Sequence, residues 1–349
     1  MKKYLFYISQ NYSFAILRPI QEILIARNDE VFWFFEGSDV TPSYLSKSEK
    51  ALNTIYDVFN YQPDVVLATA NNLPSFIPGL KVAIFHGFDA GKLDNRGKND
   101  HFKIRGGFDL YCTQGPSTTL PFKRIEKKLG FFNVIETGWA ALDPLFPSEP
   151  NTHRNPKPTI LFCSTFSKRL SCAKDAFTEI KRLSKLNKWK WIVQFHPKMD
   201  KKIVDQYKSI QNENLSFIET DNIIPLLKEA DLMVCDTSSV ITMFLIQNKP
   251  VITINNIKPS PYLLNISDPS LLEKTIEIAL NHPLELMTHI KKFVDQTHPY
   301  SDGESSKRVV KAIDDVLDGH FPLTKKKPLN ILRNLKYRKR LGYWKFLFF

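Results

Sequence analysis

Glycine is scarce, 13 in 349 residues, and neither a G-x-x-x-x-G-K loop nor a G-x-G-x-x-G fingerprint occurs. That counts against ATPases of the P-loop kind and against enzymes that hold NAD through that fingerprint. The four cysteines, Cys112, Cys163, Cys172 and Cys235, lie far apart with no C-x-x-C. Neither a zinc site nor a disulfide framework fits such spacing, and a reducing setting does. No run of about 18 uncharged apolar residues exists, so no membrane span is expected. The best stretch, Leu232 to Ile254, is broken by Asp236 and Lys249. After Lys2 and Lys3 the apolar run Tyr4 to Ile8 is too short for a signal peptide. No internal repeat and no low-complexity tract is present. Acidic residues are missing from 324–349, which carries nine lysines and arginines. Taking those nine from the net charge of +12 leaves +3 for residues 1–323. The basic character belongs to a tail, and the body carries no motif for specific nucleic-acid binding.

What is there is length and alternation. A chain of 349 residues with 43% hydrophobic and 24% charged residues has material for two cores. Short apolar strand-like runs alternate with helical spacing: strands at 4–9, 30–35, 64–69, 81–85, 108–113 and 133–137, helices at 15–26, 46–59 and 117–128. After the Pro-rich segment 146–158 the alternation restarts with strands at 159–163, 189–195, 215–219, 231–235 and 251–254. Helices are expected at 172–186, 201–211, 223–229 and 240–247, and three more near 270–280, 284–296 and 304–317. Apolar strands in βαβ succession form parallel sheets covered on both faces. The expectation is an α/β protein with two doubly wound, Rossmann-like domains facing across a cleft: 1–147 on the acceptor side, 156–319 for the nucleotide donor, and a basic tail over 320–349.

Ligands of open α/β sheets sit at the carboxyl ends of strands, and three polar clusters fall there. His86 and Gly87 follow one strand; the glycine permits a sharp turn and close backbone approach, and the histidine can take a proton. His196, Pro197 and Lys198 follow another, with the ammonium suited to phosphate. Either histidine by itself is better explained by a loop hydrogen bond. Asp236, Thr237, Ser238 and Ser239 stand between a strand and a helix; three adjacent hydroxyls exceed what capping needs and suit an anion. With Asp236 the single carboxylate there, no ligand set calls for a divalent metal, and no cofactor is implied.

These residues resemble those of the CDP-glycerol glycerophosphotransferases, the teichoic-acid polymerase and primase type. The marks run in order: His86-Gly87, Phe195-His196-Pro197, Asp236 to Ser239 followed by an apolar helix and Lys249-Pro250, and Asp302 to Arg308. Thr237 stands where that family has Tyr. In the stretch Gly138 to Asp143 the family's Arg is absent. The resemblance implies a GT-B fold and transfer of a polyol phosphate, glycerol phosphate foremost, from CDP-glycerol or a related CDP-polyol. The acceptor would be a hydroxyl of a surface glycan or lipid-linked glycan such as teichoic acid or capsule, and CMP would be released. It implies His86 as catalytic base and His196 as the residue holding the transferred phosphate. Thr237, Ser238 and Ser239 would hold the donor pyrophosphate, with Ser305, Ser306 and Arg308 contributing and Gly87, Pro197, Lys198 and Asp236 around them. The alternative enzyme is a GT-B glycosyltransferase using a nucleotide sugar; an epimerase would need carboxylates that are not found.

The tail interleaves its basic residues with Ile331, Leu332, Leu335, Leu341, Trp344 and Leu347 at roughly helical spacing, with Phe346 among the aromatics near the end. A basic, aromatic-rich amphipathic helix lies in an anionic membrane interface. That reading places the enzyme peripherally on the cytoplasmic face. A helix docked on the N-terminal domain and a nonspecific nucleic-acid tail are the alternatives weighed against it.

Overall fold

The computed structural model describes residues 1–89, 97, 99–146, 157–220 and 222–344. The chain forms two compact units, Met1–Pro144 with Asp302–Phe349, and Leu145–Ser301.

The first unit begins β1 (Lys3–Ile8), α1 (Tyr12–Ala26), β2 (Glu30–Phe35), β3 (Ala51–Leu52), α2 (Ile55–Tyr61) and β4 (Val65–Ala68). It continues with β5 (Leu80–Ile84), β6 (Leu110–Thr113), α3 (Pro116–Leu129) and β7 (Asn133–Glu136). The strands pair in parallel in the order β3-β2-β1-β4-β5-β6-β7. The order reverses between β1 and β4, the position where such sheets open a crevice. Strand β1, KYLFYI, is buried along nearly its whole length, as a central parallel strand must be.

The second unit runs β8 (Thr159–Ser164), α4 (Ala173–Leu183), β9 (Lys190–Phe195), α5 (Lys201–Ser209), β10 (Leu215–Phe217) and α6 (Ile224–Glu229). Then follow β11 (Leu232–Cys235), α7 (Val240–Leu245), β12 (Val251–Ile254), β13 (Leu264–Ile266), α8 (Leu272–Leu280) and α9 (Leu284–Thr297). Its parallel sheet has the order β10-β9-β8-β11-β12-β13, reversing between β8 and β11. Trp191, Phe162 and Tyr207 lie in one core beneath it, each such side chain worth about 1.5–3 kcal/mol of burial. The Tyr207 hydroxyl still finds a partner, donating to Ala173 O at 2.7 Å. The four cysteines are free and buried, and burial pushes the thiol of Cys163 well up.

Three expectations need correction. The helix expected over 46–59 starts only at Ile55, where Thr54 and Asp57 form a capping box. Ala51–Leu52 instead make an edge strand beside Trp33–Phe34. Strand β13 was not expected at all.

The second correction concerns α10 (Ser305–Leu317), which was expected to close the donor domain and instead belongs to the first unit. Asp143, at the end of the first pass through that unit, accepts from the backbone N–H of Ser305 (2.9 Å) and of Ser306 (2.7 Å). Asp314 further along the helix pairs with Lys2 and Arg27. The boundaries expected at 147 and 156, and most of the Pro-rich segment, lie outside the described residues.

The third concerns the tail, which is docked rather than free. Lys327 pairs with Asp109 at 2.6 Å, and Asn330 Nδ2 donates to Gly106 O at 2.9 Å. Gly106 sits at φ +74°, and a Cβ there would meet Pro328 at 2.7 Å. Helix α11 (Ile331–Leu341) buries Tyr337, pairs Arg340 with Glu36, and is followed by Tyr343 stacked on Phe59 at 4.3 Å. Leu329, Ile331 and Leu332 stay exposed at 78, 61 and 78%, and Trp344 at 51%. The tail residues Lys345 to Phe349 lie outside the described residues.

Candidate active site

In the first unit the expected base is His86. The chain leaves β5 through buried Phe85, and the imidazole of His86 emerges exposed. The parallel register Ala68↔Ala83 brings the turn after β4 alongside, and His86 Nδ1 lies 3.0 Å from Thr69 O. A carbonyl oxygen only accepts, so Nδ1 carries the proton, and neutral His86 presents Nε2 as a lone pair. Thr69 is itself fixed, its hydroxyl 2.7 Å from that of Ser13. Tyr12 stacks on the imidazole at 5.5 Å. Ser13 and Thr69 mark the β1/β4 reversal, so His86 stands beside the crevice position of its own sheet.

Gly87 plays a different part from the one expected. Its φ is not positive, and a Cβ added there would meet nothing within 4 Å. The turn does not require glycine; what its hydrogen side chain leaves is open space beside His86. Its carbonyl accepts from Gln114 Nε2 at 2.8 Å.

A recess of about 20 Å³ behind this corner is lined by Thr69, Asn71, Phe85, His101, Lys103 and Arg105, among others. Burial lowers the pKa of His101, which stacks on Phe85 at 5.0 Å. Arg105 pairs with Asp100 at 2.6 Å. Sequence reasoning missed this group; the alternation His101, Lys103, Arg105 was the available signal.

In the second unit His196 emerges from β9 with the opposite protonation. The backbone N–H of Lys198 donates to His196 Nδ1 at 3.0 Å. Nδ1 is therefore an acceptor, and the proton of neutral His196 sits on Nε2. Burial, and next the Lys198 ammonium, lower its pKa, which keeps the ring neutral. Phe166 packs on it at 4.7 Å. Pro197 and Lys198 are exposed beside it.

Asp236 is fully buried. It accepts from Ser164 Oγ (2.5 Å), from Thr165 N–H (3.0 Å), from Cys172 N–H (3.2 Å) and from Thr237 N–H (2.6 Å). It is a positioning residue that ties the β8 and β11 loops together at the strand-order reversal, not a ligand contact as expected. The loop it secures carries Phe166, Lys168 and Arg169, all exposed. Those two cations were not singled out from the sequence, although a basic pair directly after a strand was there to be read.

Of the three hydroxyls, Thr237 Oγ1 accepts from Ile257 N–H at 3.4 Å, and Ser238 Oγ accepts weakly from Val240 N–H at 3.5 Å. Ser239 occupies the N-cap without a side-chain cap bond. Helix α7 has only six residues, so the anion argument rests on the hydroxyls and not on a macrodipole.

Ser305, Ser306 and Arg308 depart furthest from expectation. They stand in the first unit, the two serines buried. Their N–H groups are spent on Asp143, and Arg308 forks onto Asp302 at 2.8 and 3.0 Å while donating through Nε to Thr137 O. The guanidinium holds the Asp302 carboxyl down at about 2. These residues lock α10 in place. Among the described residues no cluster of His, Cys, Asp and Glu could hold a metal ion.

Residues 133–256 match the family model of the CDP-glycerol:poly(glycerophosphate) glycerophosphotransferases. The matched segment includes His196 and Thr237 to Ser239 and ends before α10. Among solved structures, the wall teichoic acid polymerase TagF is similar with a TM-score of 0.66 and 15% identity, over 92% of this chain and 90% of that one. A UDP co-structure of S. aureus MnaA is similar at 0.63 and 17%, over 93% and 99%. A UDP-N-acetylglucosamine 2-epimerase is similar at 0.60 and 14%, over 93% and 99%. No curated protein matches the chain in sequence. The fold is GT-B-like, and the resemblance read from the sequence is matched by the family model over residues 133–256.

Proposed function

We propose that this enzyme transfers a polyol phosphate, glycerol phosphate first among the candidates, from a CDP-activated donor to a hydroxyl of a surface glycan or lipid-linked acceptor. The observation that carries the reading is the pair of opposite histidine protonation states set by backbone partners. His86 offers a lone pair at Nε2, and His196 offers a proton at Nε2. Phosphoryl transfer to an alcohol needs both, a base for the hydroxyl and fixed donors for the phosphate oxygens. In the proposed reaction the acceptor oxygen bonds to the donor's β-phosphorus, and the bond from that phosphorus to CMP breaks. The hydroxyl proton passes to His86 Nε2, and His196 Nε2–H steadies the phosphate. Ser238, Ser239 and the exposed cations Lys168, Arg169 and Lys198 are assigned to the pyrophosphate charge.

Incubation with CDP-glycerol, CDP-ribitol and a panel of nucleotide sugars tests this. CMP release from a CDP-polyol supports it. Release of a nucleoside diphosphate from a nucleotide sugar, with no CMP, replaces it with glycosyl transfer.

The same reading puts the enzyme at the cytoplasmic membrane face. No helix among the described residues is long and apolar enough to cross a membrane. The docked tail nevertheless leaves Leu329, Ile331, Leu332 and Trp344 exposed among basic residues. Apolar side chains flanked by lysine and arginine suit an anionic lipid surface, each cation adding about 1 kcal/mol. The chain should sediment with anionic liposomes at low salt. A variant with Leu329, Leu332 and Trp344 changed to Ser should remain in the supernatant; equal sedimentation of both removes the surface.

A further inference from the structure

Beside His196, and lined in part by it, lies a second cavity of about 340 Å³. Phe195, Pro197, Val204 and Phe217 supply its apolar lining, and His196 lines it too. One end is polar, formed by Glu219 and Thr220 in the loop after β10. This shape suits a flat heteroaromatic ring stacked on aromatic and apolar side chains, with one edge read by a carboxylate. The loop is held by side-chain bonds. Thr220 Oγ1 accepts from Asn222 N–H at 3.0 Å and donates to Asn222 O at 3.1 Å. Lys208 on α5 engages Glu219 Oε2 at 2.8 Å.

We infer that this cavity takes the donor's pyrimidine base and that Glu219 selects cytosine over uracil, an inference that rests on the proposed nucleotide donor. A carboxylate only accepts. It matches the exocyclic amino group of cytosine and opposes the O4 carbonyl oxygen of uracil, the same pairing by which acidic side chains read cytosine in nucleic acids. Position supports the assignment: His196 lines the same cavity, so a base lodged there has its phosphates near the ring that holds them. Lys208 sharpens the choice, because its ammonium is occupied by Glu219 while the carboxylate is present. In Glu219→Gln that ammonium is released and the amide can donate to uracil O4 or accept from the cytosine amino group, so uracil gains partners while cytosine keeps only a neutral acceptor.

Calorimetry with CDP and UDP on the full chain tests this, with thermal melting of each variant as the control for folding. Wild type should bind CDP about tenfold more tightly than UDP, the size of discrimination one such contact gives. Glu219→Gln should bring the two affinities within about twofold of each other, and Phe217→Ala should weaken both nucleotides together, as loss of a stacking wall does. An unchanged CDP preference in Glu219→Gln, or equal affinities in wild type, overturns the inference, and CMP release from CDP-glycerol by that same wild type would leave the transferase reading standing. If wild type binds neither nucleotide, the inference falls, and CMP release from CDP-glycerol alone decides the transferase reading.

Discussion

Asp236 accepts a 2.5 Å hydrogen bond from Ser164 across the reversal of the second sheet, joining the ends of two strands 72 residues apart. Three backbone N–H groups share the same carboxylate. Leaving a buried donor without its acceptor costs about 1–3 kcal/mol. Asp236→Ala should lose that much in urea unfolding and should also lose nucleotide binding, because the loop of Lys168 and Arg169 is released. Asp236→Asn should rescue little, since half of its amide faces donors with another donor. A fully stable Asp236→Ala protein would show that the loop closes without the carboxylate.

Asp143 offers a contrast. It caps α10 through Ser305 and Ser306, and loss of a cap costs about 0.5–2 kcal/mol. Asp143→Ala should lower stability by that amount while the affinity for CDP, measured by calorimetry, stays at the wild-type value. A large drop in CDP affinity with stability intact would return Ser305 and Ser306 to the donor site.

The histidines predict the acid response. Burial lowers the pKa of both His101 and His196 from the ordinary value of 6.5. Below 6.5 the unfolded chain therefore binds protons that the folded chain refuses, so stability falls as pH drops through that range and levels off below the folded-state values. Protonation of His196 also breaks the bond from Lys198 N–H, because both ring nitrogens then carry hydrogen. Denaturation midpoints between pH 7 and 5 should decrease, and a variant with both residues changed to Gln should show a flatter profile. A midpoint rising toward pH 5 in wild type contradicts the burial argument.

Gly87→Ala separates fold from function. The site has room for the methyl group and no left-handed backbone to strain, so thermal stability should equal or slightly exceed wild type. Substrate approaching His86 would meet the methyl group, and turnover should fall several-fold. Unchanged turnover would mean that nothing comes close at Gly87.

Local pattern carried the sequence reading far. Apolar runs marked the strands of both sheets, β3 and β13 excepted, to within a few residues, and the strand-end rule pointed at His86 and His196. What it missed is long-range. Nothing near Ser305 announces that Asp143, 162 residues earlier, takes its N–H and draws α10 into the first unit. Asp236 looked like a ligand because a loop carboxylate and a buried hub have the same local sequence. Glu219 was passed over for a related reason: a lone acidic residue after a short strand has no motif, and only the cavity beside His196 gives it meaning. The tail was half legible, its amphipathic character plain but its anchor through Tyr337, Arg340 and Tyr343 dependent on partners far off in the chain.

The central claim is that His86 Nε2 takes the acceptor's proton, and His86→Asn tests it most directly. Asparagine keeps an N–H where Nδ1 now serves Thr69 O, so position and stability are preserved, and only the basic nitrogen is removed. With CDP-glycerol and a hydroxyl acceptor, CMP release by His86→Asn should be slower by about 10²–10⁴-fold, with CDP affinity unchanged. Release at a rate near that of wild type would contradict the account.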